Sequence, residues 1–307
     1  MEQYDILIIG AGPAGMTAAI YGQRAGYRTL ILEEAVLGGQ IANTPEVENY
    51  PAVGKISGVE LGMNLYNQVL EQGAQVEFDG VVSAQLAGPL KTLTTQSGKV
   101  YTARAVIIAN GAKRRKLGIP GEEAYAGRGV SYCATCDGGF FKGKSTVVVG
   151  GGNTALEDAL YLANLCTQVH LIHRRDTFRG GKVLVDAVLA RENIQVHYDT
   201  VPVEVVSADG QKVSGLTVRN VKTGAQELLE AQGVFVAVGL APDNQLFAGQ
   251  IELDPAGYIA AGEDCKTNLE GVFAAGDTRT KTVRQIVTAA GDGAVAAAEA
   301  GNYLMRQ

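Results

Sequence analysis

Short runs of consecutive apolar residues alternate along this chain with longer stretches of small residues and good helix formers. Tyr4 to Ile9 is the first such run and Thr29 to Leu32 the next, and the residues between them read as a helix to about Ala25. The same order returns later. The run Thr146 to Val149 is followed by a helical stretch to about Leu165 and then by the run Val169 to Ile172. Apolar runs of strand length alternating with helical stretches predict an α/β fold.

Each unit carries glycines at its first turn. Gly10-Ala11-Gly12-Pro13-Ala14-Gly15 follows the first run, and Gly150-Gly151-Gly152-Asn153-Thr154-Ala155 follows the third. Both fit G-x-G-x-x-[GA]. One such match is weak evidence, but here each follows a strand and opens a helix. The second strands also end alike, at Glu33 and at His173, each 23 residues past the first glycine. The first glycine makes the tight turn, the second lets the backbone approach a pyrophosphate, and the third position must be small so that helix and strand touch. The helix N-terminus then offers unpaired N–H groups to the phosphate charge. Two dinucleotide sites are therefore predicted. One is built on Gly10, Gly12, Pro13 and Ala14, the other on Gly150, Gly152, Asn153 and Thr154.

The two strand ends assign the cofactors. Glu33 is an acceptor suited to ribose hydroxyls, and it repels a 2′-phosphate, so the first site fits FAD. The second ends in His173-Arg174-Arg175, with Arg179 beyond. Guanidinium groups bind phosphate through charge-assisted, often paired hydrogen bonds, which fits the 2′-phosphate of NADPH. A solvated basic loop is the plainer reading of the same arginines.

Composition narrows this picture. The 307 residues suggest about two domains. With 46% hydrophobic and 19% charged residues, the chain can bury a large core and is not disordered. A net charge of −6 argues against a nucleic-acid footprint. The N-terminus lacks a basic region followed by an apolar run, and no apolar stretch reaches the roughly 18 residues of a membrane span. A cytoplasmic protein with no nucleic-acid or membrane partner is expected.

Only Cys133 and Cys136 of the four cysteines are close in sequence, as Cys133-Ala134-Thr135-Cys136, with Asp137 next. A disulfide framework belongs to small secreted domains. A structural zinc site needs four ligands, and there is no second C-x-x-C, so no metal is expected. The pair suits reversible disulfide formation. Asp137 reads equally as a proton shuttle or as a solvated turn residue. Cys166 reads as a mid-helix core residue, and Cys265 has no functional reading.

Together these motifs resemble the low-molecular-weight, bacterial-type thioredoxin reductases of the FAD-dependent pyridine nucleotide-disulfide oxidoreductases, over essentially the whole chain. Gly38-Gly39-Gln40 and Glu46-Val47-Glu48-Asn49-Tyr50-Pro51 resemble that family's FAD-contacting stretch. Gly271 to Asp277 resembles its second FAD motif, where Gly276 and Asp277 meet the cofactor, and Arg284-Gln285-Ile286 resembles the opening of the helix under the flavin. Asn110 departs from the family's usual threonine.

The resemblance implies two Rossmann-like domains of three-layer ββα type, the NADPH domain inserted into a discontinuous FAD domain. The expected boundaries are 1–112 and 243–307 for FAD, and 113–242 for NADPH and the cysteine pair. It also implies that Cys136 faces the flavin, that Cys133 attacks the partner's disulfide, and that Asp137 is the acid/base. The domains would rotate between a flavin-reducing and a disulfide-reducing state, in a homodimer whose substrate is thioredoxin or a thioredoxin-like protein. Arg128, Phe140 and Phe141 are candidates for docking that partner, the phenylalanines equally for the core. Competing readings are a flavin disulfide reductase with another protein partner and a dithiol oxidase. The arginines argue against the oxidase, which needs no NADPH.

Overall fold

The computed structural model describes residues 2–44 and 47–307; the side chains of Asn43 and Cys136 lie outside the described residues. Along the chain run β1 (Glu2–Ile9), α1 (Pro13–Arg24), β2 (Thr29–Glu33), α2 (Gly58–Glu71), β3 (Gln75–Phe78), β4 (Val81–Gln85), β5 (Lys91–Thr95) and β6 (Val100–Ile108). Next come β7 (Ala112–Arg114), β8 (Val130–Ser131), α3 (Ala134–Asp137), β9 (Ser145–Val149), α4 (Asn153–Ala163), β10 (Gln168–Ile172), α5 (Lys182–Leu189) and β11 (Ile194–His197). The remainder is β12 (Thr200–Val206), β13 (Gly215–Asn220), β14 (Gln226–Glu230), β15 (Gly233–Val236), β16 (Leu240–Pro242), β17 (Val272–Ala274) and α6 (Ile286–Leu304). The chain divides into two compact units, residues 1–113 with 241–307, and residues 114–240.

In the first unit the sheet order is β3-β2-β1-β6-β5-β4, with β17 also on β6. Strands β3, β2, β1, β6 and β17 pair in parallel, and β5 and β4 continue antiparallel. The apolar run in β1 is continuous because both faces of the sheet are covered. Ile6 and Ile8 pack towards α1 and α6, whereas Leu7 and Ile9 pack on the opposite side with Phe247, Ile251 and Ile259. Helix α6 crosses α1 at close range. A Cβ on Gly293 would lie 2.1 Å from the Ala14 carbonyl oxygen, so only glycine admits this approach.

The second unit repeats the plan. Its sheet, β11-β10-β9-β15-β8, is parallel throughout. Val148 faces a core with α4, while Val147 and Val149 face one shared with Val205, Leu216 and Leu229. Strands β12, β13 and β14 form a separate antiparallel sheet. Cys166 lies past the end of α4 rather than within it. It is buried in the core, with its thiol donating to the Phe141 carbonyl at 3.4 Å. Among the described residues no helix is long and apolar enough to cross a membrane.

Candidate functional site

The first glycine turn is held by close backbone contacts. Gly10 has φ +105°, a conformation L side chains rarely adopt, and a Cβ there would meet the Ala109 carbonyl oxygen at 2.5 Å. A Cβ on Gly15 would lie 1.9 Å from the Gly10 carbonyl oxygen, which is the close helix–strand contact that the motif needs. Gly12 differs. A Cβ there meets nothing within 4 Å. It is the N-cap of α1, makes no side-chain cap, and is followed by Pro13 at the head of the helix. The helix therefore presents its open end at Gly12.

Two other predicted glycines of the first unit, Gly38 and Gly39, rest on this turn. The Gly38 N–H donates to the Ala11 carbonyl at 2.9 Å, and Gly39 packs against Gly12, its Cβ position 3.5 Å from the Gly12 Cα. Gln40 follows, exposed. Asn49 donates to the Gln285 side chain at 3.0 Å, joining the loop before α2 to the head of α6. Glu46 lies outside the described residues. Asn110 donates to the Asp243 carbonyl at 2.8 Å, and its buried Oδ1 has no partner among the described residues.

Glu33 carries more than its sequence position suggests. Its Oε2 accepts the Ala11 N–H at 2.6 Å, and its Oε1 accepts the N–H groups of Ala35 (2.8 Å) and Val36 (3.2 Å). The carboxylate thus braces the glycine turn and the next loop. A carboxylate has about four acceptor positions, which leaves room for a ribose hydroxyl.

The turn after β17 completes the first cluster. Gly276 has φ +79°, and its Cβ position is 2.9 Å from the Ala14 Cβ, so the turn rests on α1. Asp277 next to it has a buried Oδ1 with no hydrogen-bond partner among the described residues. Burial pushes its carboxyl above the usual range, opposed by Lys281 and Arg284. Arg284 stacks over Tyr258 at 4.2 Å, with its Nε buried and without a hydrogen-bond partner among the described residues. Gln285 caps α6, its N–H donating to Thr288 Oγ1 at 3.1 Å, and Ile286 begins the helix against the core. An open helix end, a glycine floor and an orphaned carboxylate oxygen fit a long nucleotide with ribityl hydroxyls.

The second glycine turn has the same construction. A Cβ on Gly150 would meet the Ala237 carbonyl oxygen at 2.3 Å and the Ala155 Cβ at 2.6 Å, whereas Gly152, the uncapped N-cap of α4, has open space. His173 is buried with its ring against Gly151, where a Cβ would come within 2.2 Å of Nδ1, and its Nε2 has no hydrogen-bond partner among the described residues. The ring therefore fills the floor of the turn. Burial, and then the charges of Arg179, Arg174 and Arg175, hold it below the ordinary histidine range. Those three arginines are exposed and form no ion pair among the described residues. The Arg179 N–H donates to the Gly151 carbonyl at 2.8 Å, which ties the basic loop to the turn. Asn153 Oδ1 accepts the Gly181 N–H at 2.7 Å, so this side chain braces the start of α5, while Thr154 is exposed.

The cysteine segment follows β8 and runs through α3 into a 3₁₀ turn at Gly138–Phe141. Cys133 is disulfide-bonded, while Cys166 and Cys265 are free; the Cys136 side chain lies outside the described residues. Ser131, which sequence reasoning missed, links Cys133 to Asp137. Its hydroxyl donates to Asp137 Oδ2 at 2.6 Å and accepts the Cys133 N–H at 3.0 Å. The Asp137 N–H closes the loop on the Cys133 carbonyl at 3.1 Å. Asp137 is thereby fixed beside the cysteines rather than solvated freely. Two further residues in this unit were hidden: burial pushes Asp158 to about 6, opposed by the charge of Arg114, which also feels Asp137. No local pattern marks either. Phe140 is 75% exposed, and Phe141 is buried edge-on against Phe235, so the two phenylalanines divide between surface and core. Arg128 is exposed, stacks over Tyr125 and donates to the Ala124 carbonyl. Among the described residues no group of three or more metal-ligating side chains occurs.

Residues 4–293 match the pyridine nucleotide-disulphide oxidoreductase family. The chain belongs to that family. It is 44% identical to a thioredoxin reductase of Listeria monocytogenes, over 98% of this chain and 94% of the relative. It is 47% identical to a thioredoxin reductase of Streptomyces clavuligerus, with the same coverage. Among solved structures, the thioredoxin reductase of Lactococcus lactis superposes with a TM-score of 0.92 at 42% identity, covering 99% of this chain and 100% of the other. The fold is accordingly that of two Rossmann-like domains, one inserted into the other.

Proposed function

We propose that this chain is an NADPH-dependent thioredoxin-disulfide reductase. The observation that carries the reading is one chain holding two dinucleotide turns of different chemistry and a disulfide-bonded Cys133 hydrogen-bonded through Ser131 to Asp137. Near-full-length likeness to several thioredoxin reductases supports it. The cofactors are FAD and NADPH. Residues 1–112 and 243–307 form the FAD domain, and residues 113–242 the NADPH domain.

FAD would be held by Gly10, Gly12, Pro13, Ala14 and Glu33, with Gly39, Gln40, Asn49, Gly276, Asp277, Arg284, Gln285 and Ile286. The flavin, when bound, supplies two-electron chemistry between the nicotinamide and the disulfide. Gly150, Gly152, Asn153 and Thr154 present α4 to the NADPH pyrophosphate, over a floor made by His173. Arg174, Arg175 and Arg179 recognise the 2′-phosphate. Once the Cys133–Cys136 bond is reduced, the Cys133 thiolate attacks one sulfur of the partner's disulfide and forms a mixed disulfide. The Cys136 thiolate then attacks Cys133 Sγ, re-forming the internal disulfide and expelling the partner's second thiolate. Asp137 supplies protons to the departing thiolates, held in place by Ser131. Overall, one NADPH and one proton reduce one partner disulfide to a dithiol. Thioredoxin is the partner, Phe140 and Arg128 belong to its docking surface, the enzyme is a homodimer, and its place is the cytoplasm.

Cys136→Ser tests the mechanism. The variant should keep its yellow flavin and the reduction of that flavin by NADPH, yet lose turnover with thioredoxin. Wild-type turnover would remove the cysteine pair from the reaction.

A further inference from the structure

Behind the turn that carries Gly276 and Asp277 lies a buried charged cluster that the reaction above does not use. The side chains of Arg279, Lys281 and Asp292 are only 2%, 5% and 9% exposed. Asp292 lies about two turns into α6 and gathers four donors. Its Oδ2 accepts the Gly276 N–H at 2.9 Å, Arg279 Nε at 2.9 Å and Lys281 Nζ at 2.8 Å, and its Oδ1 accepts Arg279 Nη2 at 2.8 Å. Arg279 is fixed in turn by the carbonyls of Ala261 (3.3 Å) and Thr280 (3.0 Å). The Cys265 thiol donates to the Asp292 backbone carbonyl at 3.6 Å. Exposed Glu263 approaches Arg279 at 3.5 Å.

Buried ion clusters are poor devices for raw stability, because removing their charges from water cancels much of the attraction. Their use is geometric. Here a single carboxylate oxygen joins a backbone N–H to two cations, and the N–H belongs to a glycine at φ +79°. The next residue, Asp277, keeps a buried Oδ1 that accepts no hydrogen bond from any described residue, the cluster's donors included.

We propose that Asp292, clamped by Arg279 and Lys281, is a positioning residue for the flavin: it holds Gly276 in its left-handed conformation and so aims Asp277 at the bound cofactor. The inference rests on the reading that this unit binds FAD. It concerns how FAD is oriented, not whether the cysteines react.

The test uses Asp292→Asn, which keeps size but removes the charge, and Arg279→Lys, which keeps charge but removes the two-pronged contact. FAD affinity, the visible circular dichroism of the bound flavin and the melting of the apoprotein are measured on each. Asp292→Asn should weaken FAD by roughly 10- to 100-fold, the loss expected for hydrogen bonds to a charged group. The flavin dichroism at saturating FAD should change in both variants, with Arg279→Lys the milder and its apoprotein melting as wild type. FAD affinity and dichroism unchanged in both variants would overturn the positioning role, as would an affinity loss matched by earlier apoprotein melting with unchanged dichroism. If Asp292→Asn fails to fold, Arg279→Lys decides alone by the same readings. A wild-type protein that takes up no FAD would overturn the FAD reading first, and this inference with it.

Discussion

At the scale of single residues, the two glycine turns separate positions closed by backbone contacts from positions left open. Gly15 and Gly150 cannot carry a side chain, because carbonyl oxygens lie 1.9 and 2.3 Å from where Cβ would stand. Gly12 and Gly152 could carry one with no clash against protein, so their smallness serves something the protein does not itself fill. The basic loop after β10 divides in the same way. His173 turns inwards to Gly151, whereas Arg174, Arg175 and Arg179 are exposed, and the proposed function gives these three the 2′-phosphate. Arg174→Ala with Arg175→Ala should therefore raise the Michaelis constant for NADPH by roughly 10-fold or more, the scale of a lost charge-assisted contact, and leave that for NADH nearly unchanged. Steady-state kinetics with both nucleotides checks this. Equal losses with NADPH and NADH would defeat the 2′-phosphate assignment. The glycine turns are legible in sequence because motif spacing encodes them. The three backbone N–H groups on Glu33, and the Ser131 link to Asp137, are not. They depend on where two loops meet, and no periodicity reports that.

At the scale of elements, the strand ladder β10–β11 carries a histidine pair. His170 Nδ1 lies 3.1 Å from His197 Nε2, and His197 Nδ1 approaches Glu227 on β14 at 3.6 Å. Burial is the main reason that both rings are held below the ordinary value of 6.5. For His170 the neighbouring His197 adds to the effect, and Glu227 opposes it for both. A histidine whose folded value is depressed leaves stability untouched above the unfolded value. As the pH falls below about 6.5 the unfolded chain binds protons that the folded chain refuses, and stability is lost towards the lower folded value. Compared with a variant carrying His170→Gln and His197→Gln, the wild type should lose stability between pH 7.5 and pH 5.5. Urea midpoints at the two pH values measure it. A wild type that gains on the variant as the pH falls would contradict the assignment. The difference between the two proteins is the useful quantity, because Asp158, with its carboxyl raised to about 6, acts in the opposite direction within the same unit. The helices and strands of both repeats are legible from hydrophobic runs. The end of α4 is less so: Cys166 reads as mid-helix because the residues about it are apolar, yet the helix stops at Ala163. Apolar character reports burial at Cys166, not its secondary structure.

For the whole molecule, repetition is what makes the fold readable. Two copies of strand, glycine turn, helix and strand give sheets with matching orders, β3-β2-β1-β6 and β11-β10-β9-β15. The insertion is visible because motifs resembling one cofactor's site lie at both ends of the chain, with the second copy between them. The Arg279–Lys281–Asp292 cluster is invisible in the same sequence. Its members are separated by a turn and two turns of helix, and scattered charges look like ordinary surface until burial is known. The central claim is that electrons from NADPH reach a protein disulfide. The most direct test is oxidation of NADPH by the purified protein, followed by absorbance, with and without oxidised thioredoxin. The account predicts slow oxidation alone, strong stimulation by thioredoxin, and a weaker response when NADH replaces NADPH. A flavin that NADPH does not reduce, or a rate that thioredoxin does not change, would contradict it.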